Sequence, residues 1–154
     1  MRSQHMRNIL ASVLVITLTS AACNESSPNA PAPAPLSVTG TWTGDLSLLD
    51  TPARMTWTLS QSGSAVSGPV LVLLPSGVVL MNGVLSGTLS GSVLGYTIAI
   101  SRDGIPSQPA CTGQLGGTAT ATMFVVSTLA GSYAVTASTC TTPFSSGTFT
   151  LTKQ

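Results

Sequence analysis

The chain has little of the chemistry on which most enzymes and metal sites depend. Charged residues make up 6% of its 154 residues, and its one histidine is His5. Histidine is the usual general base, the partner of nucleophilic serine or cysteine, and a common zinc ligand. Because His5 lies in a segment that we expect to be removed, we predict that the protein is not an enzyme and has no resident metal or cofactor.

Carboxylates are also scarce in the part of the chain that would form a domain. Asp45, Asp50 and Asp103 are its only acids, and two of them would be needed for a glycosidase-like pair. Asp45 falls on the polar face of a predicted strand, whereas Asp50 and Asp103 precede Thr-Pro and Gly, as ordinary turn residues do. Surface and turn positions are therefore the favoured interpretation for all three.

No apolar run is long enough for a transmembrane helix, which needs roughly 20 residues. Residues 9–18 form an apolar stretch of ten, preceded by Arg2 and Arg7 and followed by small residues up to Cys23. A basic start, a short apolar centre and a small-residue end are typical of a secretory signal peptide. We predict a signal peptide over residues 1–22.

The end of that segment, Ser20-Ala21-Ala22-Cys23, resembles the lipobox of bacterial lipoproteins. The resemblance implies that the Cys23 thiol receives a diacylglyceryl group, which anchors the mature protein to a membrane. Asn24 in the next position implies sorting to the outer membrane, with the domain facing the periplasm or the cell surface. The alternative is an ordinary signal peptide cleaved near Ala22.

A tether over residues 23–37 follows, in which Pro alternates with Ala. Such a sequence favours an extended polyproline-like spacer, or else a disordered linker. Beyond residue 22 the chain carries three basic and four acidic residues, a net charge of −1. Nucleic-acid binding depends on clustered Lys and Arg, so we expect no nucleic-acid partner.

Residues 38–154 lack helical periodicity and instead alternate apolar with polar residues between Gly-rich and Ser-rich turns. Trp42 and Leu46 share one face of a strand, as do Met55 and Trp57 in the next. A glycine within the fourth strand, at 83 or 87, is expected to mark a bend. Strands are predicted over residues 40–49, 54–59, 65–74, 78–89, 94–100, 113–124, 128–137 and 147–152.

Eight sequential strands joined by tight turns predict an all-β, antiparallel up-and-down barrel. Barrel closure removes exposed strand edges, which matters in a chain with few charges to protect them. An Ig-like β-sandwich is the main alternative. An outer-membrane barrel is a third possibility, but a face made mostly of Thr and Ser is unlike a lipid-facing surface.

The first strand opens with Gly-Thr-Trp-Thr-Gly at residues 40–44, which resembles the Gly-x-Trp opening of the lipocalin and avidin superfamily of ligand-binding barrels. The resemblance covers residues 38–152 and implies that Trp42 closes the barrel floor. It implies no particular ligand. A lipobox followed by a Thr- and Gly-rich β-domain also resembles the organisation of many small bacterial lipoproteins.

Three cysteines are present, and lipidation of Cys23 would leave Cys111 and Cys140 as an even pair. In an oxidising compartment an even pair is expected to form a disulfide. The alternative is two free buried thiols. Three cysteines without a histidine are too few for a structural zinc site.

Two functions fit this barrel. In the first, it holds a small apolar ligand in a cavity lined by Trp42, Trp57, Tyr96 and Tyr133, with Arg102 and Asp103 near the mouth. In the second, those aromatic residues fill the core, and the surface binds an envelope protein or serves a structural role.

Overall fold

The computed structural model describes residues 36–48, 51–141 and 146–154, without the side chains of Ser47, Leu48 and Thr51. The predicted signal peptide (residues 1–22), the predicted lipid-attachment residue Cys23 and most of the tether fall outside the described residues, as does Asp50. Those assignments therefore stay predictions.

Eight β-strands make up the described chain, and each follows a run of alternating apolar and polar residues. They are β1 (Gly40–Leu48), β2 (Thr51–Ser62), β3 (Ala65–Leu73), β4 (Val79–Ser90), β5 (Val93–Ile100), β6 (Gly113–Thr122), β7 (Thr128–Ser138) and β8 (Gly147–Lys153). Within the described ranges there is no helix with the length and apolar character to cross a membrane.

The strands form a closed barrel in which each is antiparallel to its neighbours in chain order. Closure comes from the pairing of β1 with β8, where Trp42 lies opposite Lys153 and Thr43 opposite Thr152. The predicted up-and-down barrel is confirmed, and the alternative of an Ig-like sandwich is wrong.

Side chains alternate between a packed interior and a polar exterior. In β5 the alternation is complete: Leu94, Tyr96, Ile98 and Ile100 are buried, and the residues between them are exposed. All buried side chains in the described core are apolar or aromatic. The interior is therefore one continuous hydrophobic core, as expected for a small barrel filled by side chains.

Large and small interior residues are matched across neighbouring strands. Beyond β1 and β2, each interior aromatic residue has glycine as a direct cross-strand neighbour: Tyr96 beside Gly87 and Gly117, Tyr133 beside Gly117 and Gly147, and Phe149 beside Gly131. Alternation of large and small residues lets bulky rings fit inside a narrow barrel.

Several details differ from the sequence prediction. β2 spans Thr51–Ser62, beyond the predicted residues 54–59 at both ends. The irregularities in register lie at Val72/Leu73 and at Gln114/Leu115, whereas the pairing of β3 with β4 continues through Gly83 and Gly87. In addition, β6 ends at Thr122, so Phe124 belongs to the connection to β7. The prediction for β6 is too long because Met123 and Phe124 are apolar. Periodicity alone cannot distinguish the end of a strand from an apolar turn.

The two ends of the barrel are distinct. The closed end holds the turns at residues 63–64, 91–92 and 123–127 together with the start of β1. The cup end holds the turn at residues 74–78, the long connection at residues 101–112 and residues 139–141.

Candidate functional site

An apolar cavity of about 50 Å³, here called the cup, lies inside the barrel toward the cup end. Every strand contributes to its wall. The lining residues are Leu46, Met55, Trp57, Val72, Leu80, Met81, Tyr96, Ile98, Leu115, Tyr133 and Phe149.

Three aromatic rings pack together at the cup. The Trp57 ring centroid lies 5.0 Å from that of Tyr96 and 4.9 Å from that of Phe149, and the latter two are 6.2 Å apart. All three pairs are tilted or edge-to-face, the arrangements that aromatic quadrupoles favour. The cluster forms a rigid apolar surface at which a ligand could rest.

Tyr96 is fixed by a polar contact that crosses a neighbouring strand. Its hydroxyl donates a hydrogen bond to the carbonyl of Ser132 on β7 at 2.9 Å, passing over Gly117 on β6. A Cβ at Gly117 would lie 3.0 Å from this hydroxyl and would clash with the Ser132 carbonyl. Burial, and secondarily the nearby Tyr133, raise the Tyr96 pKa, so the phenol is neutral at physiological pH.

Trp57 carries an unpartnered polar atom. Its side chain is fully buried, and its Nε1 has no hydrogen-bond partner among the described residues. Leaving a buried donor unsatisfied costs about 1–3 kcal/mol. Trp57 also lines the cup, so an acceptor on a bound molecule that reached Nε1 would satisfy this donor.

Trp42 occupies a different environment, although it lies directly opposite Trp57 in the β1–β2 register. Its Nε1 donates to the carbonyl of Val38 at 2.7 Å, just before β1 begins. The Lys153 Nζ lies 5.5 Å from its ring centroid, within the range of a cation–π contact. Trp42 does not line the cup; of the four residues predicted from the sequence, the structure brings Trp57, Tyr96 and Tyr133 together there.

Tyr133 stands between the cup and the outside of the barrel. It lines the cup and also a groove on the outer surface of β6, β7 and β8. A Cβ at Gly147 would lie 2.6 Å from the Tyr133 hydroxyl, so this glycine makes room for the ring. Partial burial raises the Tyr133 pKa.

A disulfide between Cys111 and Cys140 pins the rim of the cup, as the sequence predicts. Next to it, Thr112 N donates to Thr139 Oγ1 at 2.9 Å. Gln108 Oε1 accepts hydrogen bonds from the amide and the hydroxyl of Thr141, both at 2.8 Å. The connection at residues 101–112 is thus attached to the chain that follows β7.

The charged side chains that the structure describes at this end do not line the cup. Arg102 and Asp103 are exposed in the connection at residues 101–112 and are absent from the cup lining. Asp45 and Arg54 form an exposed ion pair at 3.3 Å on the outer face.

The sequence analysis did not nominate several cup residues. Phe149, Met55 and Met81 line the cup without being among the residues that the sequence predicts for the site. Methionine is flexible and polarisable and fills irregular apolar space. Met55 on β2 and Met81 on β4 lie on either side of Val72 on β3, an arrangement that depends on strand register and is not visible in the sequence.

The chain matches no protein-family model, no curated protein and no solved structure in the comparisons made. The barrel topology is compatible with the predicted resemblance to the lipocalin and avidin superfamily, while membership in that superfamily remains a prediction. The geometry of the cup and of the two barrel ends therefore carries the functional argument.

Proposed function

We propose that the protein is an exported, lipid-anchored, non-catalytic binding protein, and that its cup takes a small apolar molecule bearing a hydrogen-bond acceptor. The observation that carries the binding part is that Trp57, whose buried Nε1 has no partner among the described residues, lines an otherwise apolar cavity. An acceptor on the ligand would relieve the cost of that buried donor, and its apolar body would contact the three aromatic rings.

The proposed cellular location is supported by the sequence and by the disulfide bond. The lipobox-like residues 20–23 supply the anchor, and the Cys111–Cys140 disulfide fits an oxidising compartment. An outer-membrane location facing the periplasm or the cell surface accords with both.

The non-catalytic assignment follows from what surrounds the described acids. Asp45 is mostly exposed and paired with Arg54, and Asp103 lies in an exposed turn with a positive φ of 62°. A carboxylate that acts as an acid or base in catalysis must come within reach of a bound substrate. Neither Asp45 nor Asp103 lines the cup.

The size of the cup favours a small ligand and a wall that adjusts. Typical pockets for drug-sized ligands occupy about 300–1,000 Å³, and a cavity of about 150 Å³ can hold benzene. The cup, at about 50 Å³, must enlarge to take more than a few atoms. Met55 and Met81 are the lining residues with the most rotatable bonds, so we expect them to move first.

The same small volume favours one alternative, in which the barrel is filled and the protein acts through its surface on an envelope protein. In that case the cup is a packing defect. The two functions differ in whether the isolated protein carries a bound molecule.

Mass measurement separates the two. The full chain is purified in detergent from a bacterial host, and its native mass is compared with its denatured, non-reduced mass. We expect extra mass in the native protein and in a Val84→Phe control, whose substitution lies on the outer face. Val72→Phe fills the cup and should abolish the extra mass.

Equal native and denatured masses in all three proteins, with acceptor-bearing aromatic probes such as indole and p-cresol also added, would contradict the carrier function and support the filled barrel. The anchor is tested separately by Cys23→Ser. Loss of diacylglycerol from the mass and a shift from the membrane to the soluble fraction are expected, whereas unchanged fractionation would contradict the anchor.

A further inference from the structure

The β6–β7 connection at the closed end is unusually apolar for an exposed turn. It runs Met123-Phe124-Val125-Val126-Ser127, and we call it the apolar tip. Phe124 is 83% exposed, Val126 58% exposed, and Val125 between them is fully exposed. Three consecutive large apolar side chains in water are a departure from normal turn chemistry and mark an interaction site.

The other two turns at the closed end provide a comparison within the same molecule. They consist of Gly63-Ser64 and Gly91-Ser92, the small and polar residues that tight hairpins use. Hairpin geometry therefore does not require apolar residues at this end of the barrel. The composition of the apolar tip needs a different explanation.

The apolar tip lies at the end where the chain enters the barrel. Gln61, at the end of β2, accepts from Val38 N at 2.8 Å and donates to the Leu36 carbonyl at 3.1 Å. The tip is tied to the same end because Lys153 N, in the last residue of β8, donates to the Ser127 carbonyl at 3.0 Å. The described chain thus begins beside the end that carries the exposed apolar residues.

The described acidic side chains lie away from the apolar tip. Asp45 and Asp103 lie toward the cup end, as do Arg54 and Arg102, whereas Lys153 lies at the closed end. No acidic side chain of the described residues would meet the headgroups of a bilayer approached by the closed end. Exposed apolar residues near a basic side chain and away from acidic ones suit an interfacial membrane contact.

We infer that the apolar tip inserts into the bilayer to which the tether leads, so that the closed end faces the membrane and the cup opens away from it. This inference rests on the proposed lipid anchor for its membrane. The 15 residues of the tether span roughly 45 Å when extended as polyproline. This length sets the greatest distance between the barrel and the membrane and allows closer approach. A cup facing away from the bilayer would take its ligand from the aqueous side or from another protein.

The test places a fluorescent reporter on the apolar tip. Trp42 and Trp57 are fully buried, so a third tryptophan at an exposed position adds a separable signal. Phe124→Trp reports the tip, and Val78→Trp, which is 56% exposed at the cup end, is the matched control. The full lipidated chains are reconstituted into vesicles of phosphatidylethanolamine and phosphatidylglycerol, with part of the lipid brominated on its acyl chains.

We expect brominated lipid to quench most of the added emission of Phe124→Trp and little of that of Val78→Trp. Acrylamide in the aqueous phase should do the reverse. Emission from position 124 that brominated lipid leaves unquenched, or equal quenching at both positions, would overturn the inference and mean that the tether holds the barrel off the membrane.

A second measurement separates failure of the tip from failure of the anchor. The mass of each protein reports whether Cys23 carries lipid, independently of quenching. In the unlipidated Cys23→Ser chain, we expect the further change Phe124→Ser to lower vesicle binding by about tenfold, as the loss of one buried phenylalanine implies, whereas Val78→Ser should leave it unchanged. Equal binding by these two double variants would count against the tip even if the anchor is correct.

Discussion

The two tryptophans of this barrel are direct cross-strand neighbours, yet they belong to regions built in different ways. Trp42 is satisfied by the Val38 carbonyl and lies near Lys153, at the closed end. Trp57 is equally buried but faces a cavity, and its Nε1 has no partner among the described residues. One ring completes a core, and the other borders unfilled space.

The interior of the barrel shows the same difference in packing between its closed end and its cup end. Toward the closed end the interior is filled by fully buried residues such as Leu94, Leu129 and Leu151. Toward the cup end the interior has a void, and a disulfide and side-chain hydrogen bonds hold the rim. Local departures from good packing and polar satisfaction concentrate at functional sites, so this difference is what points to the cup as the site.

Removal of the disulfide should have the largest effect on stability, and this effect should be concentrated at the cup end. Replacing Cys111 and Cys140 together by Ala should lower the free energy of unfolding by roughly 3–4 kcal/mol, because a loop of about 30 residues regains its freedom in the unfolded chain. Urea unfolding under non-reducing conditions measures the loss, and wild type with reductant should reproduce it. The rate of amide hydrogen exchange should rise more at residues 101–112 than in the parts of the strands near the closed end. A loss below about 1 kcal/mol would mean that packing, not the crosslink, holds the rim.

Adding one methyl group at each of two glycines compares a crowded position with an open one. Gly117→Ala should cost about 1–3 kcal/mol, since the new Cβ meets the Ser132 carbonyl and displaces the Tyr96 hydroxyl. Gly95→Ala is the matched control because it has open space around its Cβ, and it should stabilise by about 0.4–1 kcal/mol. Thermal unfolding of the two variants checks both signs. Similar behaviour of both would contradict the tight β5–β6–β7 contact.

The two tryptophans can be compared by the same substitution. Trp42→Phe and Trp57→Phe each leave a similar volume unfilled, but only the first breaks a hydrogen bond, while the second removes an unsatisfied donor. We expect Trp42→Phe to be more destabilising by about 2 kcal/mol. Chemical denaturation at neutral pH provides the measurement. If the two losses are equal, then the Trp57 Nε1 is satisfied in solution, and the argument for a ligand acceptor falls.

Much of the fold is readable from the sequence. Alternation such as Leu94-Tyr96-Ile98-Ile100, with Gly-Ser turns between strands, predicts strands, their faces and the up-and-down order. The ends of strands are less readable: Phe124 continues the apolar pattern of β6 but lies outside it, since the sequence does not state where pairing stops. Closure was predicted from the need to protect edges, and the β1–β8 pairing confirms it.

The site is only partly readable. Aromatic residues on inward faces can be nominated, but alternation does not say in which direction each ring extends inside the barrel, so it does not separate Trp42 from its cross-strand neighbour Trp57. That distinction depends on barrel register and on the direction of each indole. The cup also depends on Gly117 and Gly147, whose role is visible only when their cross-strand neighbours are known.

Titration of the cup tyrosines gives the smallest effect. The Tyr96 pKa is raised by burial, so the folded protein keeps this proton at pH values where the unfolded chain, with a pKa near 10, releases it. Its contribution to stability is therefore complete below about pH 10 and is lost as the pH rises above that value. Tyr96→Phe should cost about 1 kcal/mol at pH 7, through loss of the bond to Ser132, yet should flatten the decline in stability above pH 10.

Tyr133→Phe is the control for this titration, because its ring is more exposed and should contribute a weaker decline. Urea midpoints between pH 7 and about pH 11 follow both variants and wild type. An equally steep decline in Tyr96→Phe would show that Tyr96 is not the buried phenol responsible.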